Sequence, residues 1–134
     1  MKRLIPMVLA GMTLFSCSKR NTDGGQLITG KWELRQQIGG IAAKIDYPPG
    51  NGNLCVFNAD NSFRTVHADT TTSSGTYQIK TSAHAGDWLL VLQSIANGQL
   101  QTTTDSVRFA NARLIFLPRE TCCDMATTYF ERLQ

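Results

Sequence analysis

Residues 53–67 read Asn53-Leu54-Cys55-Val56-Phe57-Asn58-Ala59-Asp60-Asn61-Ser62-Phe63-Arg64-Thr65-Val66-His67. Two runs with side chains alternating at a period of two flank Asn58-Ala59-Asp60-Asn61, residue types that close tight turns, so the stretch is an antiparallel hairpin. Alternation turns Cys55 and Phe57 on one strand, and Phe63 and Thr65 on the other, toward a common interior. Working outward, the same pattern predicts eight strands in all, over residues 30–38, 53–58, 62–68, 74–81, 88–94, 105–109, 112–117 and 127–133. No segment of ten or more residues carries apolar side chains at helical spacing between caps. The fold class is therefore all-β, and the architecture it implies is an eight-stranded antiparallel up-and-down β-barrel, because closure removes the edges an open sheet exposes.

Trp32 and Leu34, and Tyr77 and Ile79, complete the predicted inward set. Residues 88–92 (Trp-Leu-Leu-Val-Leu) and 114–117 (Leu-Ile-Phe-Leu) are apolar on both faces, so their outer faces must be covered or form a patch. The threonine runs at 70–72 and 102–104 read as loops. Together with the 39–52 connection they place the longer loops on one rim, and the short turns on the other.

Before the barrel, Met1-Lys2-Arg3 precedes a mostly apolar run from Leu4 to Phe15, followed by Ser16-Cys17-Ser18. The run is shorter than the roughly 20 residues that a membrane-crossing helix requires. A basic start, a short apolar run and a small residue make it a secretory signal over residues 1–16. Leu14-Phe15-Ser16-Cys17 resembles a bacterial lipobox, which implies that Cys17 carries a lipid and becomes the first residue. Ser18, with no aspartate there, implies sorting to the outer membrane, facing the periplasm. Residues 17–26 then read as the lipidated cysteine and a flexible polar tether, and 27–134 as the barrel domain. Two of the 13 basic residues leave with the signal, against 10 acidic ones in the chain, so the mature protein is nearly neutral and carries no footprint for nucleic acid.

Gly30-Lys31-Trp32, at the head of the first strand, matches the Gly-x-Trp signature of lipocalins. Phe57-Asn58-Ala59-Asp60-Asn61-Ser62-Phe63, with Asn61 in place of the usual glycine, and Gly75-Thr76-Tyr77-Gln78-Ile79 resemble segments of small bacterial lipocalin-like lipoproteins. Trp32-Glu33-Leu34 and Tyr47-Pro48-Pro49-Gly50 read like members of that group. The resemblance implies that Gly30, Trp32 and Arg132 are structural, the tryptophan plugging the closed end and the arginine packing over it. It also implies a small hydrophobic or amphipathic ligand in the barrel mouth, for which Tyr47, Phe57, Phe63, Tyr77 and Phe109 are the candidate contacts.

After Cys17, three cysteines remain. In an oxidising compartment the default is a disulfide, here Cys55 with Cys122 or Cys123, since both sites fall on the long-loop rim. A vicinal Cys122–Cys123 bridge is the rival. A soft metal site built from these thiols and a histidine lacks the usual Cys-x-x-Cys spacing, so no metal and no cofactor are expected. His67 and His84 fall on opposite rims. No nucleophile elbow, His-Glu-x-x-His or phosphate loop occurs, so the chain reads as a non-enzyme.

Two functions compete. One is a carrier of the kind the resemblance implies. The other is a barrel plugged by its own side chains, acting as a structural or interaction module for an envelope protein. The bulky inward set of a short barrel favours a plugged interior.

Overall fold

A computed structural model describes residues 23–40, 43–118 and 126–134. Cys17, Cys122, Cys123 and the signal segment lie outside the described residues. The fold is a closed eight-stranded antiparallel barrel with one short additional strand. In chain order the elements are α1 (Gly24–Ile28), β1 (Gly30–Ile38), β2 (Lys44–Asp46), β3 (Leu54–Phe57), β4 (Ser62–His67), β5 (Thr70–Thr81), β6 (Asp87–Ala96), β7 (Gln99–Ala110), β8 (Arg113–Phe116) and β9 (Thr127–Leu133). Neighbours from β3 to β9 pair in sequence, and β1 closes the ring by pairing with both β3 and β9, from Lys31↔Leu133 to Ile38↔Thr127.

The threonine runs are strand, which corrects the loop assignment. β5 and β7 begin at Thr70 and Gln99, so two of the expected long connections are two-residue turns, Ala68-Asp69 and Asn97-Gly98, with both residues at positive φ. Threonine is β-branched and suits a pleated strand. These runs lie largely in solvent, so no apolar alternation marks them. The third turn of this kind is Asn111-Ala112. β2 was not expected: it has three exposed residues and, among the described strands, pairs with the upper end of β1 alone.

α1 spans the expected junction of tether and barrel at residues 26 and 27, and Asp23 caps it by accepting a hydrogen bond from the Gly25 amide on its carboxylate. The helix lies across one end of the barrel and closes it. Ile28 is fully buried, and its carbonyl accepts a 2.6 Å hydrogen bond from Trp32 Nε1. Arg132 donates to the carbonyl of Leu27 from the other side. The interior above is filled by Trp32, Phe57, Phe63, Tyr77, Leu90, Val107 and Leu114, all buried, with Ile79, Trp88, Leu92, Phe109 and Phe116 packed against them. At Gly75, β5 and β6 approach so closely that a Cβ would sit 1.9 Å from the Gln93 carbonyl oxygen, and only glycine fits.

On the outer face, Leu89, Val91 and Ile115 are half-buried, so the doubly apolar segments form no large patch. Exposed apolar surface sits instead at the tip of the β6–β7 hairpin, where the paired residues Ile95 and Leu100 are 76% and 67% exposed. β7 also rises past the end of β8. Gln99 and Ala96 close the hairpin turn, so alternate residues from Leu100 direct their backbone groups away from β6, a parity matched by Leu117 N donating to Ser106 O. Among the described residues, Leu100, Thr102 and Thr104 have no strand on that side.

Glu33, on the outer face of β1, is opposite Glu131 of β9 in the ladder. Arg35 relieves this like-charge pair: its Nη1 lies 2.6 Å from Glu33 Oε2, at an angle that makes an ion pair and not a hydrogen bond, and its Nε donates to Glu131 Oε2 at 3.2 Å. Arg113 adds a 2.9 Å bond to Glu131. These two guanidinium groups hold the Glu131 carboxyl below its ordinary range, the Arg113 hydrogen bond contributing most.

Candidate functional site

β1 rises from the closed end and carries the chain to the mouth, where the connection through β2 folds back along it. A β-bulge between Leu34 and Gln36 breaks the alternation. A period of two from Trp32 and Leu34 would turn Gln36 inward, but Gln37 takes that place and Gln36 bonds outward to Asp46 at 2.6 Å. Tyr47 donates to Gln37 Oε1 at 2.9 Å, fixing the phenol beside the opening. Asn51 donates to the carbonyls of Leu34 and Pro48, and accepts from the Asn53 amide, so the 48–52 loop is tied down on the rim by one side chain.

The result is an open cleft of about 330 Å³ at the mouth. Leu34, Cys55 and Phe130 give it an apolar floor, while Gln37, Tyr47, Asn53, Thr65 and His67 supply polar groups around it. Burial pushes the Cys55 thiol up to about 12, so at neutral pH it is protonated and acts as a small apolar wall group and not as a nucleophile. Among the described residues Cys55 is a free thiol. Its proposed partners, Cys122 and Cys123, lie outside them. Asn53 Oδ1 is buried without a hydrogen-bond partner among the described residues.

Of the candidate ligand contacts, only Tyr47 lines this cleft. Phe57, Phe63 and Tyr77 are spent on the plug: the Phe57 ring stacks on Phe63 at 6.5 Å and meets the Tyr77 ring edge-on at 5.1 Å. The Tyr77 hydroxyl donates to the Asn58 carbonyl at 2.9 Å, stitching β5 to the β3–β4 turn. Phe109 packs against Trp32 with ring centroids 6.2 Å apart, at the closed end. There the Arg132 guanidinium lies 4.6 Å from the centroid of the Trp32 ring, a cation–π contact. Gly30 adopts φ 140°, which only glycine takes readily, and passes beneath that guanidinium.

His67 ends β4 at the mouth, and His84 lies in the β5–β6 connection at the closed end, so the two share no site. Among the described residues, no three His, Cys, Asp or Glu side chains could together hold a metal ion. Sequence reasoning did not single out Gln37, Asn53 and Phe130 as site residues. Phe130 was within reach, because counting back by twos from Arg132 turns it inward. Gln37 was hidden by the bulge, and Asn53 by its place in a loop. No family model, curated protein or solved structure matches the chain.

Proposed function

We propose that this chain is an exported lipoprotein, anchored through Cys17 to the periplasmic face of an outer membrane, whose lipocalin-like barrel holds a small amphipathic molecule in its mouth. The carrying observation is the mouth cleft itself, an apolar floor beneath a ring of hydrogen-bonding groups, above an interior that is otherwise packed. At about 330 Å³ it is at the small end of ligand sites, so the occupant is a small molecule or the end of a longer one. Among the described residues the cleft holds no activated nucleophile or acid–base pair, and the proposed role is binding without catalysis.

Native mass spectrometry of the protein purified from envelopes tests the reading. A copurifying small molecule is expected on the wild type and lost from Thr65→Phe, which fills the cleft from its wall. Adducts of equal abundance on both proteins, or on neither, would remove the carrier role. Anchoring is tested separately: a fatty-acid probe should label the wild type and not Cys17→Ala.

A second reading has its own support. Ile95 and Leu100 protrude at the β6–β7 tip beside a groove of about 370 Å³, surface suited to a protein contact. On that reading the plugged barrel is a non-catalytic structural or interaction module of the envelope.

A further inference from the structure

Among the described residues the barrel is electrically asymmetric along its axis. Around the closed end stand Lys31 near the start of β1, Arg64 on β4, Lys80 near the end of β5, Arg108 on β7 and Arg132 near the end of β9. They face three carboxylates there, Asp23, Asp60 and Asp87. Arg108 is tied to Asp87 at 2.6 Å, and Asp60 is engaged by the Ser62 amide and hydroxyl. Lys31, Arg64, Lys80 and Arg132 are exposed, with no carboxylate in ion-pair range among the described residues. At the mouth the described balance reverses: Asp46 and Asp69 stand beside one described cation, Lys44, which is 3.1 Å from Asp46. The cluster of Glu33, Arg35, Arg113 and Glu131, which begins beside the closed-end turn at Arg113, sums to zero.

From this asymmetry we propose that the closed end docks against an anionic lipid surface, the cationic ring resting on phosphate headgroups while the mouth faces away. The proposal rests on the reading that the N-terminus is held in a membrane. Residues 17–22 would then reach Asp23 over at most about 20 Å, and they include Lys19 and Arg20. A tether with that upper reach also allows separations within one Debye length, about 8–10 Å, where the ring's charges act on the headgroups.

The spacing selects a surface over a single small anion. Lys31 is opposite Val56 in the ladder and Val56 is opposite Arg64, so the two cations stand two strands apart, roughly 10 Å. The others are spread farther around the rim. They converge on no common point, as a lone phosphate would require, and suit a sheet of separate headgroups. Val56 between them is buried although it faces outward, consistent with the aliphatic stems of Lys31 and Arg64 lying along it.

Full-length protein is titrated with vesicles of phosphatidylcholine alone, and with vesicles containing phosphatidylglycerol. Preference for the anionic vesicles is expected, falling about fivefold for each cation removed in Lys31→Gln, Arg64→Gln and Lys80→Gln. It should vanish in high salt, and Lys44→Gln at the mouth should leave it unchanged. Both tryptophans, Trp32 and Trp88, sit toward the closed end, so a lipid spin-labelled at headgroup depth should quench their fluorescence on anionic vesicles and lose that effect in the triple variant. Equal affinity for the two vesicle types, or a triple variant that binds and quenches like wild type, would overturn the proposal. So would a shift in melting temperature with inorganic phosphate that the triple variant abolishes, which marks a small-anion site. An unlabelled Cys17 with the anionic preference intact would remove the anchor and leave the docking surface standing.

Discussion

Replacing Trp32 separates what its ring does from what its nitrogen does. The side chain is 2% exposed, with the Arg132 guanidinium over one face and Phe109 against its flank, while Nε1 donates to the carbonyl of the fully buried Ile28. Trp32→Ala empties a large aromatic site, at about 3–5 kcal/mol, which approaches the whole stability of a marginal domain. Trp32→Phe keeps most of the apolar volume but leaves the Ile28 carbonyl buried and unpaired, at about 1–3 kcal/mol. Urea unfolding followed by circular dichroism measures both. A melting shift of roughly 4–8 °C per kcal/mol accompanies them. Because the lost bond ties α1 to the barrel, the Thr29 amide, which bonds the Gly25 carbonyl, should exchange faster in Trp32→Phe while amides in β6 stay protected. A Trp32→Phe variant with wild-type unfolding and unchanged exchange at Thr29 would show that the helix is held by something else.

Further outcomes follow from the ladder, the charges and the thiol. Thr102 directs its N–H away from β6, toward an edge with no described strand, and Thr103 into β6, so Thr102→Pro should fold with little loss, while Thr103→Pro costs about 3 kcal/mol; urea titrations giving equal losses would refute the strand parity. Glu131, whose ordinary value is 4.5, is lowered by Arg113 and Arg35. Its stabilisation is therefore present above that value and lost as pH falls below it, and Glu131→Gln should flatten the acid limb of the stability curve. In the reduced protein, Cys55 should resist alkylation until the chain unfolds or the pH nears 12. In oxidised protein, non-reducing peptide mapping should find Cys55 joined to Cys122 or Cys123, and a Cys122–Cys123 link with Cys55 free would replace that pairing.

The barrel was legible because alternation marks strands that have an inside and an outside. Trp32, Leu34, Cys55, Phe57, Phe63 and Tyr77 all point where a period of two sends them. The pattern fades where a strand has water on both faces, which is why the first residues of β5 and β7 passed for loops and their tight turns were missed. α1 has five residues, too few for periodicity to register, and its identity rests on the Asp23 cap and on what it covers. The mouth was the least legible part. A bulge at Arg35 exchanged Gln36 for Gln37, and the named ligand contacts other than Tyr47 are spent on the packed interior, since a short barrel has volume for little else.

The pairing of β1 with β9 joins the two ends of the domain, Lys31 beside Leu133. On a ribosome, or on any passage that delivers the chain from its N-terminus, β1 meets β3 early but waits for its other neighbour until almost the last residue is free. Until then both lateral edges of the growing sheet are open, and the loop that must close spans nearly the whole domain, a topology that folds slowly. Completion is therefore a single late event. A chain ending before Thr127 would lack the strand that closes the ring, and would persist as an open, adhesive sheet for proteases and chaperones to find.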